Sequence, residues 1–257
     1  MHKPLVLALA MLGASHAAPA QTPAPGPAAA PEEADSRWVT VRLHVGPNLN
    51  LMRDWRDGLG TLQTRAQQHG LPITGKLCIC MSWGSTALVH VRERVGVGAQ
   101  FEMLRDTRSF TVTDDLRFFG TNTNASFGFR NETVVRTTQV VAALYPREGS
   151  RAHVQVGVGR GSGHSRFMTP GGDAEGHGSG MLVSASAGME SSFWYVDAGW
   201  RLHRIDITYD TIRDSAIPEA RDLFASEAEV RDFVQARDAD FTGGWARIGL
   251  AFRFGRR

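Results

Sequence analysis

The side chains with chemistry to offer are spread singly through the chain rather than gathered in a motif. Arg42, Glu102, Glu190, Asp197, Arg201, His203 and Arg247 each sit where polar and apolar residues alternate, always on the polar phase. His44, His90, Gln100, His153, Gln155 and Arg253 share that phase, so all of these groups are expected on one side of a sheet. Acids and guanidinium groups on a common buried face have to pair, because an unpaired buried charge is strongly destabilising. A salt-bridged network among Glu102, Glu190, Asp197 and the arginines is therefore expected, able at most to bind a small ligand. No residue is assigned a catalytic role, and no metal or cofactor is expected.

Four other groupings compete for attention. His164-Ser165 sets a base beside a hydroxyl, but adjacent strand residues point to opposite faces, so the two meet only if that stretch is a loop. His164, Asp173, Glu175 and His177 are metal-ligand types within a glycine-rich stretch, 161–180, that reads as a loop; their spacing matches no metal motif. Cys78 and Cys80 are the only cysteines. Two apart in a strand pattern, they share a face, and a disulfide between them would be strained. They read as small interior residues, since a redox or metal pair would want Cys-x-x-Cys or further ligands nearby. The glycine-rich run 157–163 has neither a lysine nor a strand-to-helix context, so it is no phosphate loop.

The elements that must position these residues are strands. Eight segments show period-two alternation, and no segment after the N-terminal stretch has the length and apolarity of a spanning helix. Val39, Val41, Leu43 and Val45 open the first; Leu77 to Val91 and Val95 to Met103 form the second and third, joined by Arg92-Glu93-Arg94. The fourth sets Thr138, Val140, Ala142 and Leu144 against Gln139, Val141, Ala143 and Tyr145, and ends at Pro146-Arg147-Glu148-Gly149. Val154 to Val158, Met181 to Met189, Trp194 to Leu202 and Ile248 to Phe254 complete the set. Connections after the second, fourth and sixth segments are short and the others long. A soluble β-sandwich also alternates, but gives no reason for that asymmetry. The expected fold is all-β: an eight-stranded antiparallel up-and-down transmembrane β-barrel, with short periplasmic turns and long extracellular loops. Trp38, Trp194, Phe252 and Phe254 near one rim, and Trp83, Phe101, Trp200 and Trp245 near the other, are expected to form aromatic girdles.

The N-terminus supports export. Met1-His2-Lys3, the apolar run 4–13 and Ala18-Pro19-Ala20 read as a signal peptide over 1–20, with Ala14 to Ala17 as a second possible cleavage point. Residues 21–35 are Pro- and Ala-rich and read as a disordered linker, leaving 36–257 as the barrel domain. Net charge is +2, which argues against a nucleic-acid partner. The 28 glycines fall largely within alternating segments, where a narrow barrel needs room.

The last segment, Ile248-Gly249-Leu250-Ala251-Phe252-Arg253-Phe254, together with the eight-segment pattern, resembles the superfamily of small eight-stranded outer-membrane barrels, of the outer-membrane protein A transmembrane-domain or porin-like type. The family's final strand ends on its aromatic residue, whereas Gly255-Arg256-Arg257 follow here. The resemblance implies location in the bacterial outer membrane, with outer-membrane lipid and the outer-membrane assembly machinery as partners.

Two long connections carry helical signals. Met52, Trp55, Leu59, Leu62 and Ala66 are spaced for an amphipathic helix in loop 50–70, closed by Gly70, which reads as a lid on the barrel rim or as a partner-binding helix. Loop 208–240 is acidic, with nine Asp or Glu against four Arg; Ser226-Glu227-Ala228-Glu229 reads as a capping box before Val230, Phe233 and Val234. Through these loops an extracellular partner is possible. The expected function is structural or surface contact with a largely plugged interior. The alternatives are a narrow pore or small-solute transporter and, less favoured, a lipid-modifying enzyme, since His164-Ser165 superficially resembles the His-Ser pairs of outer-membrane deacylases. The oligomeric state is open.

Overall fold

The computed structural model describes residues 38–50, 52–68, 72–116, 123–147, 149–169, 172–214 and 227–255. The signal peptide, the linker, Gly70 and Ser226 lie outside the described residues. In chain order the elements are β1 (Val39–Asn50), α1 (Arg53–Gln68), β2 (Ile73–Arg92), β3 (Val95–Leu116), β4 (Thr123–Leu144), β5 (Ala152–Thr169), β6 (Gly172–Glu190), β7 (Trp194–Asp214), α2 (Glu227–Gln235), β8 (Ala239–Asp240) and β9 (Gly243–Phe254). Every strand pairs antiparallel with its neighbour; β1 pairs with β9, β9 with β7 and β7 with β6. Eight long strands therefore close into an up-and-down barrel, and β8 is a two-residue rung on β7.

The pairing fixes the shape. Starting at Val39 and stepping across paired residues through Val89, Val97, Ala142, Val156, Ala185, Trp200 and Gly244, the circuit returns to β1 at Leu49. A stagger of that size over eight strands tilts them steeply to the barrel axis, by roughly 35–45°. Such a barrel is narrow enough for side chains to fill.

Short turns at Glu93-Arg94, around Gly149 and at Ser191 to Phe193 lie at the end where β1 starts and β9 finishes; both helices lie at the other end. Gly149 has φ 69°, a left-handed conformation that glycine adopts without a Cβ clash. At the helix end the connections are less uniform than expected. Residues 161–169 and 172–180 are strand rather than loop: β5 runs to Thr169 and β6 begins at Gly172. β3, β4 and β7 likewise outrun their expected limits, reaching Leu116, Thr123 and Asp214.

The strands are long because they change environment part way along. On β7, Trp194, Val196, Ala198, Trp200 and Leu202 face outward, with Asp197, Arg201 and His203 inside. Beyond His203 the polarity inverts: Arg204, Asp206, Thr208 and Asp210 face outward, while Ile205 and Tyr209 are buried. β5 repeats this, with exposed Val154, Val156 and Val158 followed by exposed Arg160, Ser162 and His164, and with Phe167 buried. The first regime, apolar outside and polar inside, suits lipid; the second is that of a water-soluble barrel.

The exposed apolar residues form a belt, including Val45, Phe101, Val140, Val156, Val183, Trp200, Ile248 and Phe252. No helix among the described residues is long and apolar enough to cross a membrane; the belt is carried by strands. Trp83, Phe101 and Trp200 lie on it, but Trp245 is buried inside, and Trp38 stacks on His90 at 4.4 Å in the barrel mouth, so neither belongs to a girdle. Both side chains fall on the inward phase of β1 and β9, whose Thr40 and Arg247 are buried.

Above the belt a hydrophobic core fills the barrel. Leu104, Phe110, Phe129, Phe167 and Ile205 pack with Met52, Trp55, Leu59, Leu62 and Ala66 of the α1 segment and with Val230 and Val234 of α2. α1 forms because its apolar residues recur at helical spacing, with Asp54 in its first turn and Arg65 in its last. Its apolar stripe is spent on the barrel, so the outward face offers Arg53, Arg56, Asp57 and Arg65. Arg237 holds the two helices together: its guanidinium lies 3.4 Å over the Phe233 ring, donates to the Phe233 carbonyl and rests on Gly58. Burial there lowers the pKa of Arg237 below the ordinary arginine value.

Candidate functional site

The inward polar phase of the belt region brings the candidate residues together in two tiers. In the tier nearer the short turns, Glu190 of β6 accepts from Arg42 of β1 through Nε at 3.0 Å and Nη2 at 2.6 Å, and also from Arg253 of β9. Arg42 further donates to Gln155 at 3.1 Å and to the Tyr145 hydroxyl at 2.8 Å. Gln155 continues the chain to Gln100, which also accepts from Thr86. Arg42 thus ties β1 to β6, to β5 and to the residue that follows β4.

The second tier lies toward the helices. Arg247 of β9 forks onto Asp197 of β7 at 3.1 and 2.8 Å, and its Nη1 is 3.3 Å from His44. Arg201 forks onto Glu102 at 2.9 and 3.2 Å and donates to Asn48 at 2.6 Å. Arg247 also lies 3.9 Å from Glu102, tying the two forks into one network, and stacks 3.6 Å over Trp245. Planar forks of this kind suit guanidinium groups in a desolvated setting, where each remaining N–H must find an acceptor. His203 sits above this tier, buried, with neither ring nitrogen holding a protein partner; its backbone N–H donates to Thr242 at 3.1 Å.

All seven residues singled out from the sequence thus lie inside the barrel, six of them in the ion-paired tiers. Sequence reasoning missed Asn48, Tyr145 and Trp245 as members. Asn48 and Trp245 follow the inward phase of their strands, which would have found them; Tyr145 was placed inward without a role.

Among the described residues the lumen opens at its short-turn end. A recess of about 640 Å³ enters from the short-turn end, lined by Trp38, His90, Tyr145, Arg151, Glu190 and Arg253. It reaches Glu190, whose ion pair with Arg42 is buried, the two side chains being 0% and 1% exposed. Above the second tier the hydrophobic core and α1 close the other side.

The competing groupings separate. On β5 His164 faces outward, stacked at 4.6 Å on His177 of β6, while Ser165 is buried and bonded to Thr133, Asn131 and the Tyr209 hydroxyl. The base and the hydroxyl lie on opposite faces, so they form no nucleophile–base pair. Asp173 and Glu175 are held by Arg166. Among the described residues no group of three or more His, Cys, Asp or Glu is arranged to hold a metal. Cys78 and Cys80 are on the inward phase of β2 but are not packed interior residues: Cys78 is exposed and Cys80 half-buried. β2 outruns β1, whose last pairing with it is Pro47 with Met81, so β1 does not cover them.

No protein-family model matches the chain, and no curated protein matches its sequence. Solved structures similar to it include Ail, the attachment invasion locus protein of Yersinia pestis, at 7% identity and TM-score 0.39 over 85% of this chain and 99% of that one. The same protein in complex with the heparin analogue sucrose octasulfate matches at 9% identity and TM-score 0.39 over 85% and 99%. The outer membrane protein OprG of Pseudomonas aeruginosa matches at 10% identity and TM-score 0.37, over 86% of this chain and 97% of that one. Among the described residues, a closed ring of eight strands leaves no open sheet edge within its apolar belt, and the buried carboxylates Glu102, Glu190 and Asp197 inside that belt are ion-paired. The chain is a small, closed, eight-stranded antiparallel β-barrel girdled by an apolar belt.

Proposed function

We propose that this barrel does not conduct and acts at the cell surface, through the water-facing collar that its strands and helices build beyond the bilayer. The short turns and the barrel mouth would then face the periplasm, and α1, α2 and the upper strands the exterior. The observation that carries the reading is the double closure of the lumen, by the paired Arg42–Glu190 and Arg201–Glu102 tiers and then by the core under α1. A transporter has to open both, at the cost of unpairing buried charges. The outward row Arg204, Asp206, Thr208 and Asp210 and the polar face of α1 supply a mixed-charge surface suited to a macromolecular partner.

Purified full-length protein reconstituted in planar bilayers tests the proposal. No stepwise conductance is expected over a range of voltages. Anion-selective steps that vanish in Arg201→Ala would replace this reading with a narrow pore.

A further inference from the structure

We propose that Cys78 and Cys80 bind one soft monovalent metal ion, copper(I) or silver(I), as a two-coordinate bis-thiolate beside the Arg108–Asp106 ion pair. The site is a block of four side chains on one face of the β2–β3 ladder. Cys78 pairs in register with Arg108, and Cys80 with Asp106. Directly opposed residues in an antiparallel pair hold their Cβ atoms about 4.5–5.5 Å apart. Arg108 donates to Asp106 at 2.9 and 3.3 Å, and the Cys80 thiol is hydrogen-bonded to Asp106.

Spacing selects the coordination number. Residues two apart on a strand have Cα atoms about 6.6 Å apart with parallel Cβ vectors, a poor geometry for a disulfide. Two collinear metal–sulfur bonds of about 2.3 Å need sulfurs only about 4.6 Å apart, which the two side chains reach by leaning toward each other. The exchange is redox-neutral: the metal cation displaces one proton from each thiol, two metal–sulfur bonds form, and two protons pass to solvent. The product carries one negative charge.

The neighbours select the ion. Zinc(II) would need two further ligands, and the nearest carboxylate, Asp106, is buried and engaged by Arg108. Two thiols alone, with the neighbouring carboxylate and guanidinium already paired to each other, suit a thiophilic monovalent ion rather than a hard dication. Access is direct, because Cys78 is exposed where β2 rises above its last pairing with β1.

The test uses full-length folded protein in detergent, titrated with copper(I) under ascorbate against bathocuproine disulfonate, and separately with silver(I). One ion per chain is expected, with both thiols becoming inert to a thiol reagent. Affinity should fall more than a hundredfold in Cys78→Ser and in Cys80→Ser and about tenfold in Arg108→Gln. The heat-shifted gel band of each variant should match the parent, which separates loss of the site from loss of the fold. Absence of uptake, uptake unchanged in the cysteine variants, equal affinity for zinc(II), or a Cys78–Cys80 disulfide in protein isolated without reductant would each overturn the proposal.

Discussion

Arg201 on β7 and Glu102 on β3, strands that are not neighbours in the ring, meet inside the barrel with Nη1 2.9 Å from Oε2, their side chains 3% and 1% exposed. The pair spans the lumen rather than lining a wall. Glu102→Leu strips Arg201 of its carboxylate partner and removes the anion between it and Arg247, and should destabilise the barrel by about 3–5 kcal/mol. Replacing both Glu102 and Arg201 with Leu should cost less than Glu102→Leu alone. Urea unfolding in lipid vesicles measures both. A double variant as unstable as the sum of its singles would show that the pair is not coupled.

Trp55 is wholly buried among Phe167, Tyr209 and Phe233. Trp55→Ala should cost about 3–5 kcal/mol by the same assay, since it leaves a cavity in a packed core. The variant should still carry no current in planar bilayers, because the ion-paired tiers lie below it. Channel activity there would mean that α1 alone closes the lumen.

The polarity switch on β7 predicts a depth-dependent response to charge. Ala198→Arg puts a guanidinium on the lipid-facing belt and should cost about 2–4 kcal/mol, whereas Thr208→Arg on the same outward row should cost less than about 1 kcal/mol. Equal effects at the two positions, by vesicle unfolding, would place the bilayer boundary elsewhere.

Gly249 sits where β9 meets β1. A Cβ there would fall 1.9 Å from the Leu43 carbonyl oxygen and 2.8 Å from the Tyr195 ring. Gly249→Val should therefore prevent closure and abolish the heat-shifted band on a denaturing gel. Gly60 in α1 has nothing within 4 Å of its hypothetical Cβ, and Gly60→Ala should instead stabilise by about 0.5–1 kcal/mol. A shifted band of normal intensity in Gly249→Val would show that the strand pair has slack.

The belt-level half of each strand was legible because lipid demands one rule, apolar out and polar in, for as long as the strand is immersed. Val154 to Val158 and Trp194 to Leu202 obey it without exception. The same rule ended the strands too early. Arg160, Ser162 and His164 stay on the outward row of β5, but water faces them, and the apolar phase passes to the inner row at Phe167. A reader tracking one phase takes that crossing for a loop. The candidate network was legible residue by residue from phase, but its pairing was not. Arg42 is 148 positions from Glu190 and Arg201 is 99 from Glu102, and only the ring brings them together. The cysteines misled for a related reason: phase tells which face a side chain takes, and not whether a neighbouring strand rises high enough to cover it.

The offset that carries the circuit from Val39 back to Leu49 also makes the last seam self-checking. If β9 docked one residue out of step, Arg247 would turn to lipid and Ile248 would press against backbone where only Gly249 fits. A slip of two would restore the phase but pull Arg247 away from Asp197, its partner in register on β7. Of the ways to zip the final strand, one satisfies lipid, backbone and charge at once, so the molecule proofreads its own completion.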